Sequence, residues 1–118
     1  MKKVLVIDDD PQILKLFVDF FMDSDVEIIT VSDGNLVESI IDTNLPDLVI
    51  TDMLMPDKEG IEIVQQIRTT HPNIKIITMS GMGNSLYLET SKLLGAEMVV
   101  TKPINFSDLK GKVLTMLA

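Results

Sequence analysis

The chain has 118 residues, 46% of them hydrophobic, with a formal net charge of −8 and a mean hydropathy of +0.30. These totals describe one ordinary domain with enough apolar mass for a single core, and they argue against a disordered chain. The acidity argues against a nucleic-acid surface, the lack of cysteine rules out disulfides and thiolate metal sites, and no apolar run approaches a membrane span. No charged-then-apolar leader precedes Val4, so a cytoplasmic protein is expected. The acidity leaves room for a cation or a basic partner, or it serves solubility alone.

Residues 3–7 (KVLVI) predict a first strand, which runs directly into Asp8, Asp9 and Asp10. Like charges crowded at a strand end are costly unless something cationic sits among them. Asp10 before Pro11 reads as an N-cap with proline at the first helical position, opening a helix near 11–23. On that helix Ile13, Leu14, Phe17, Phe20 and Phe21 share a face. Val18 and Met22 widen the apolar arc to roughly 240°. Core packing needs much less, so Val18 and Met22 are read as a docking patch for a kinase helix or a second copy. Scattered surface hydrophobics are the plainer alternative.

Residues 27–31 (EIITV) predict the second strand and 34–43 the second helix. A third strand at 48–51 (LVIT) ends at Asp52, with "MLMP" turning away behind it and a helix near 59–69. His71 then precedes Pro72 in a loop and has no second His or Cys to share a metal, so it reads as a solvated turn residue. The fourth strand, 75–79 (KIITM), ends at Ser80; Gly81 and Gly83 follow in the loop before a helix near 84–95 that Gly95 stops. Residues 98–101 (MVVT) give the fifth strand, which ends at Lys102. Asn105 and Asp108 cap a last helix near 106–117, inside which Gly111 costs about 1 kcal/mol relative to alanine.

Five βα units with mostly apolar strands predict one α/β domain built on a parallel sheet, with helices on both faces. Ligands of such sheets bind outside the carboxyl ends of the strands. Those ends offer Asp8 and Asp9, Asp52, Ser80 and Lys102. Three carboxylates suit a hard cation such as Mg2+, which takes oxygen ligands and commonly shares them with a phosphate. Lys102 and the Ser80 hydroxyl suit phosphate oxygens. The set is equipped for phosphoryl transfer onto a carboxylate, with Asp52 as the candidate nucleophile and Asp8 and Asp9 holding the metal.

In these residues the chain resembles the receiver domain of two-component response regulators, of the stand-alone, chemotaxis-Y-like kind. The resemblance rests on Asp8-Asp9 after the first strand, "DMLMPDKEG" from Asp52 to Gly60, Ser80 after the fourth strand, and "TKP" from Thr101 to Pro103. It implies a flavodoxin-like (βα)5 three-layer sandwich with strand order 2-1-3-4-5. It also implies that Asp52 accepts phosphate from a histidine kinase or histidine phosphotransfer protein. Asp8, Asp9, Asp52 and the Leu54 carbonyl would arrange Mg2+, Ser80 and Lys102 would contact the phosphoryl group, and the Lys102–Pro103 peptide would be cis.

A switch follows, one that assists its own phosphorylation and dephosphorylation without being a metabolic enzyme. Residues 1–118 are expected to form a single receiver without an output domain, monomeric or weakly dimeric, that signals by binding an unidentified downstream protein. No nucleic-acid or membrane partner is expected.

Three positions depart from that family pattern. Val99 stands where receivers usually carry an aromatic residue, so a smaller or different rearrangement is expected in the face made by the last two helices and the fifth strand. Leu54 and Met82 are apolar where polar residues often assist the hydrolytic water, so a long-lived aspartyl phosphate is expected. Rival readings are weaker. A haloacid-dehalogenase-type phosphatase would want D-x-D after the first strand rather than "DDDPQ". A flavin carrier would want aromatic residues, yet the chain has one Tyr and no Trp. A receiver working as a protein-binding module without phosphorylation is the remaining alternative.

Overall fold

The computed structural model describes residues 1–55, 60–81, 89–90 and 92–118. Five parallel strands, β1 (Lys2–Ile7), β2 (Val26–Val31), β3 (Leu48–Asp52), β4 (Lys75–Ser80) and β5 (Met98–Thr101), form one sheet in the order 2-1-3-4-5. The described helices with continuous boundaries are α1 (Pro11–Phe21), α2 (Val37–Asn44), α3 (Gly60–Thr70) and α4 (Phe106–Leu117). This is the flavodoxin-like architecture expected from the sequence. The predicted helix near 84–95 falls largely on residues 82–88 and 91, which lie outside the described residues; 89, 90, 92 and 93 are helical.

Side chains alternate across each strand, so one sequence builds two cores. Val4 and Val6 face a cluster with Phe17, Phe21, Ile50, Ile77, Leu109 and Val113, beneath α1 and α4. Leu5 and Ile7 face a second with Val37, Ile41, Val49, Ile63, Ile67 and Ile76, beneath α2 and α3. Every residue of β3 is buried. The edge strands β2 and β5 are only partly covered, in keeping with an expectation of burial on both faces that applied to most of the strands and not to all.

The helix ends follow their capping residues. Asp10 caps α1 by accepting from Gln12 N at 2.9 Å, and Asn105 caps α4 by accepting from Asp108 N at 3.1 Å. The predicted second helix opens instead as a 3-10 turn, Gly34–Leu36, before α2 begins. Gly111, inside α4, has nothing within 4 Å of where a Cβ would stand.

On α1 the inner side chains are Leu14, Phe17 and Phe21. Phe20 is not part of that core: it is 38% exposed and stacks on Phe106 with ring centroids 5.0 Å apart. His71 also differs from the expected solvated turn residue, because its Nε2 lies 3.0 Å from Asp42 Oδ1 and so ties the end of α3 to α2.

Arg68, in the last turn of α3, clamps the amino-terminal edge of the sheet. Its guanidinium donates to the carbonyls of Pro72, Ile74 and Gly95 and to Glu97 Oε1. Glu97 Oε2 in turn accepts from Ile76 N at 2.6 Å, closing the network between β4 and the segment before β5. Planar, five-donor guanidinium is suited to gathering several carbonyls at once.

Leu45 ends α2 in the left-handed region at φ 48°, its N–H donating to Ile41 O at 2.8 Å. Its side chain is 64% exposed, so it contributes little packing in return for that conformation. Leu45→Gly is therefore expected to stabilise the fold by about 0.5–1 kcal/mol in denaturant unfolding. A loss of stability would show that the leucine side chain does more than terminate the helix.

Candidate functional site

The carboxyl ends of the three central strands and of β5 meet at one edge of the sheet. Asp8 follows β1, Asp52 is the last residue of β3, Ser80 the last of β4, and Lys102 follows β5. Register fixes this convergence: Ile7 pairs with Thr51, Asp52 with Met79, and Ser80 with Thr101. Backbone bonds lock the ends further, from Met53 N to Met79 O at 2.9 Å and from Lys102 N to Ser80 O at 2.7 Å. The Lys102–Pro103 peptide is cis.

Asp8 is fully buried and Asp52 is 6% exposed, whereas Asp9 is exposed. One carboxylate oxygen from each of the three lies within 4.8 Å of the others. Lys102 answers part of this negative charge, with Nζ 3.0 Å from Asp8 Oδ2 and 3.4 Å from Asp52 Oδ2. The second oxygen of Asp8 accepts from Asp10 N at 2.9 Å, so the residue that caps α1 also braces the site. Asp52 Oδ1 receives a longer bond from Leu54 N at 3.4 Å. An oxygen-only donor set at this spacing fits a hard divalent cation.

The chain after Asp52 depends on a close backbone approach. A Cβ on Gly60 would stand 2.5 Å from Asp52 O and 2.6 Å from Met53 Cα, so only glycine lets the start of α3 pass there. Thr51, buried beside it, donates its hydroxyl to Asp52 O at 3.0 Å. The Gly60 signal was present as the last letter of "DMLMPDKEG"; the Thr51 contact carried no sequence signal beyond a β-branched residue in a strand.

Ser80 Oγ is fully buried and has no hydrogen-bond partner among the described residues. Leaving a hydroxyl so costs about 1–3 kcal/mol, which a ligand oxygen at this edge would offset. The structure thus brings Asp8, Asp9, Asp52 and Lys102 into one cluster, and puts Ser80 on the adjoining strand end. Leu54 is 42% exposed beside Asp52. Met82 lies outside the described residues, as do Pro56, Asp57, Lys58, Glu59 and Gly83. Val99 sits in β5, paired with Thr78 and partly buried.

Burial pushes the Asp52 carboxyl above the usual carboxylate range, and the charge of Asp8 pushes it further; Lys102 and Leu54 N–H pull the other way and lose. For Lys102, burial pulls its pKa down. The hydrogen bond to Asp8 and the charges of Asp52 and Asp8 outweigh that and leave it above the usual lysine value.

Residues 4–114 match the profile of the response regulator receiver domain. The chain is 31% identical over 116 residues to the regulatory protein VanRc of Enterococcus gallinarum, covering 98% of this chain and 50% of that protein. It is 30% identical over 112 residues to sporulation initiation phosphotransferase F of Bacillus subtilis, covering 95% of this chain and 90% of that one. The fold superposes on a response regulator receiver domain protein from Clostridium thermocellum with a TM-score of 0.91 and 29% identity, covering 98% of this chain and 94% of that one. The chain spans about half the length of several curated relatives it matches, VanRc among them.

The raised Asp52 acid has a thermodynamic consequence. Its folded pKa exceeds the unfolded one, so the folded chain gains stability as pH falls through the folded value and carries the charge at a cost above it. Without divalent cations, Asp52→Asn is expected to raise Tm at pH 7 by about 4 °C, the shift that ~1 kcal/mol gives a domain of this size. The gain should shrink as the pH drops into the ordinary carboxylate range. A lower Tm at pH 7 would show that the Lys102 contact outweighs burial.

Proposed function

The chain belongs to the response regulator receiver domain family, and from that premise we propose that it is a phosphorylation-dependent switch with Asp52 as its acceptor. One observation carries the reading: a nearly buried carboxylate at a strand end, 3.4 Å from a lysine ammonium and within 4.8 Å of two further carboxylates. A plain structural charge would not be placed there, because isolated burial of like charges is unfavourable.

The phosphoryl donor in this reading is a phosphohistidine of a kinase or phosphotransfer protein. An Asp52 oxygen bonds to phosphorus as the P–N bond breaks, the imidazole leaves with the electron pair, and an acyl phosphate results. Asp8, Asp9, Asp52 and the Leu54 carbonyl would hold Mg2+, which would supply charge neutralisation at the transferring group. Lys102 meets one phosphoryl oxygen as a point charge, and the Ser80 hydroxyl donates to another. Hydrolysis later cleaves the bond between the Asp52 oxygen and phosphorus, with water as nucleophile, and returns the carboxylate and inorganic phosphate. The apolar Leu54 side chain beside Asp52 offers no group to orient that water, which supports a long-lived phosphate.

The output is altered binding to a downstream protein rather than turnover of a substrate. The proposed setting is cytoplasmic, and the proposed organisation is a single receiver, monomeric or weakly dimeric. No described helix is long and apolar enough to cross a membrane. On α1, Val18 is 40% and Met22 73% exposed, and they are proposed as a docking patch for the phosphodonor's helix or a second copy. Leu16 and Phe20 add to the exposed apolar surface of the same helix at 40% and 38%.

Incubation with a radiolabelled phosphodonor and Mg2+ tests the central reading. Wild type should take up label and retain it after the donor is removed, while Asp52→Asn should stay at background. Unlabelled wild type would favour the protein-binding module without phosphorylation, and label lost as fast as the donor is withdrawn would overturn the long lifetime alone. For the α1 patch, Val18→Asp is expected to slow phosphotransfer from a histidine donor about tenfold, the equivalent of ~1.4 kcal/mol, or to abolish a weak dimer. If rate and oligomeric state are both unchanged, the patch has no docking role.

A further inference from the structure

The buried polar side chains among the described residues are Asp8, Thr51, Asp52, Thr78 and Ser80. Asp8, Asp52 and Ser80 belong to the site, whereas Thr51 stands on β3 directly before the acid, in a strand (LVITD) otherwise apolar up to that point. Side-chain alternation puts it on the face of Ile7 and Val49, in register with Ile7 of β1 and Thr78 of β4. Valine would fill the same space, and a hydroxyl buried in such a core is costly unless it is bonded. The Thr51 hydroxyl is bonded to the acceptor's own peptide, donating to Asp52 O at 3.0 Å. Gly60 closes on the same oxygen, since a Cβ there would stand 2.5 Å away. The Asp52 carbonyl is therefore held just where the chain leaves the strand.

We propose that Thr51 is a positioning residue for phosphoryl transfer onto Asp52, acting through the Asp52 carbonyl rather than by touching the phosphoryl group. The inference rests on Asp52 being the acceptor. The direction of a carbonyl fixes the rotation about the Cα–C bond of its own residue, and that rotation sets where the following residues lie. Here it places Leu54 N 3.4 Å from Asp52 Oδ1. A bond that long orients an oxygen only weakly. The Thr51 hydroxyl and Gly60 supply the missing constraint on the backbone beneath the carboxylate, whose other oxygen lies 3.4 Å from Lys102 Nζ. Attack on phosphorus needs an aligned oxygen, and a misplacement of about 1 Å costs about a hundredfold in rate.

The test is labelling of the full chain by radiolabelled acetyl phosphate at saturating Mg2+, as wild type, Thr51→Val, Thr51→Ser and Thr78→Val. Valine keeps the shape and removes the hydroxyl, and is expected to slow labelling per folded molecule about tenfold. Serine keeps the donor and should label near the wild-type rate. Thr78→Val alters a buried threonine one strand away, so it should lower Tm as Thr51→Val does yet label like wild type. In the absence of Mg2+ and donor, the Leu54 amide resonance should move in Thr51→Val and hold in Thr51→Ser. Wild-type labelling by Thr51→Val, equal slowing in Thr78→Val, serine as slow as valine, or a Leu54 resonance unmoved in Thr51→Val overturns the positioning role and leaves the switch reading standing. Wild type that takes up no label overturns both together. Should Thr51→Val fail to fold, Thr51→Ala and Thr51→Ser decide, because only serine keeps the donor. Alanine is then expected to be the slower of the two, and equal rates overturn the proposal.

Discussion

Like charges have to be held together at a buried edge of this sheet, and much of the local structure answers that requirement. Asp8 and Asp52 stand at the carboxyl ends of neighbouring central strands, one fully buried and the other nearly so. Repulsion between them is moderated by a lysine from the far side of the sheet, 94 residues from Asp8 in sequence. Only a fold that delivers distant segments to one edge can supply that partner. The parallel arrangement does so, because every strand points its carboxyl end the same way and the helices return the chain to the opposite edge.

The opposite edge is engineered for rigidity instead. Arg68 gathers the carbonyls of Pro72, Ile74 and Gly95 and pairs with Glu97, while Lys3 N donates to Asp47 Oδ2 at 2.8 Å. The Arg68 contacts satisfy chain segments entering β4 and β5, which would otherwise leave polar groups wanting partners. One rim is tied by side chain-to-backbone bonds, and the other holds crowded acids and a hydroxyl that has no partner among the described residues. Braced backbone and crowded charge are thus separated along the strand axis.

Much of the site was legible in the sequence for a physical reason. Strands of β-branched residues announce themselves by composition, and the polar residue that ends each one must then lie at the carboxyl edge. Asp8, Asp52, Ser80 and Lys102 are readable in this way without any contact being known. Arg68 was not, because a basic residue in the last turn of a helix looks the same whether it is solvated or clamps three carbonyls. The pairing of His71 with Asp42 and the outward stacking of Phe20 on Phe106 depend on how α2, α3 and α4 sit against their neighbours. Helical period places Phe20 on the apolar side of α1 but cannot say which helix meets it there. The weaker cover of β2 and β5 reflects strand order, which five similar apolar runs do not reveal.

Gly111 has the opposite character to Gly60. One glycine is pressed against the backbone beside Asp52, while the other faces open space from the middle of α4. Since the chain contains no cysteine, a single thiol introduced at position 111 would be chemically unique and sterically unhindered. The fold therefore carries a ready attachment point for a fluorophore or spin label, far enough along α4 from its capped start to leave Asn105 and the neighbouring Lys102 loop undisturbed.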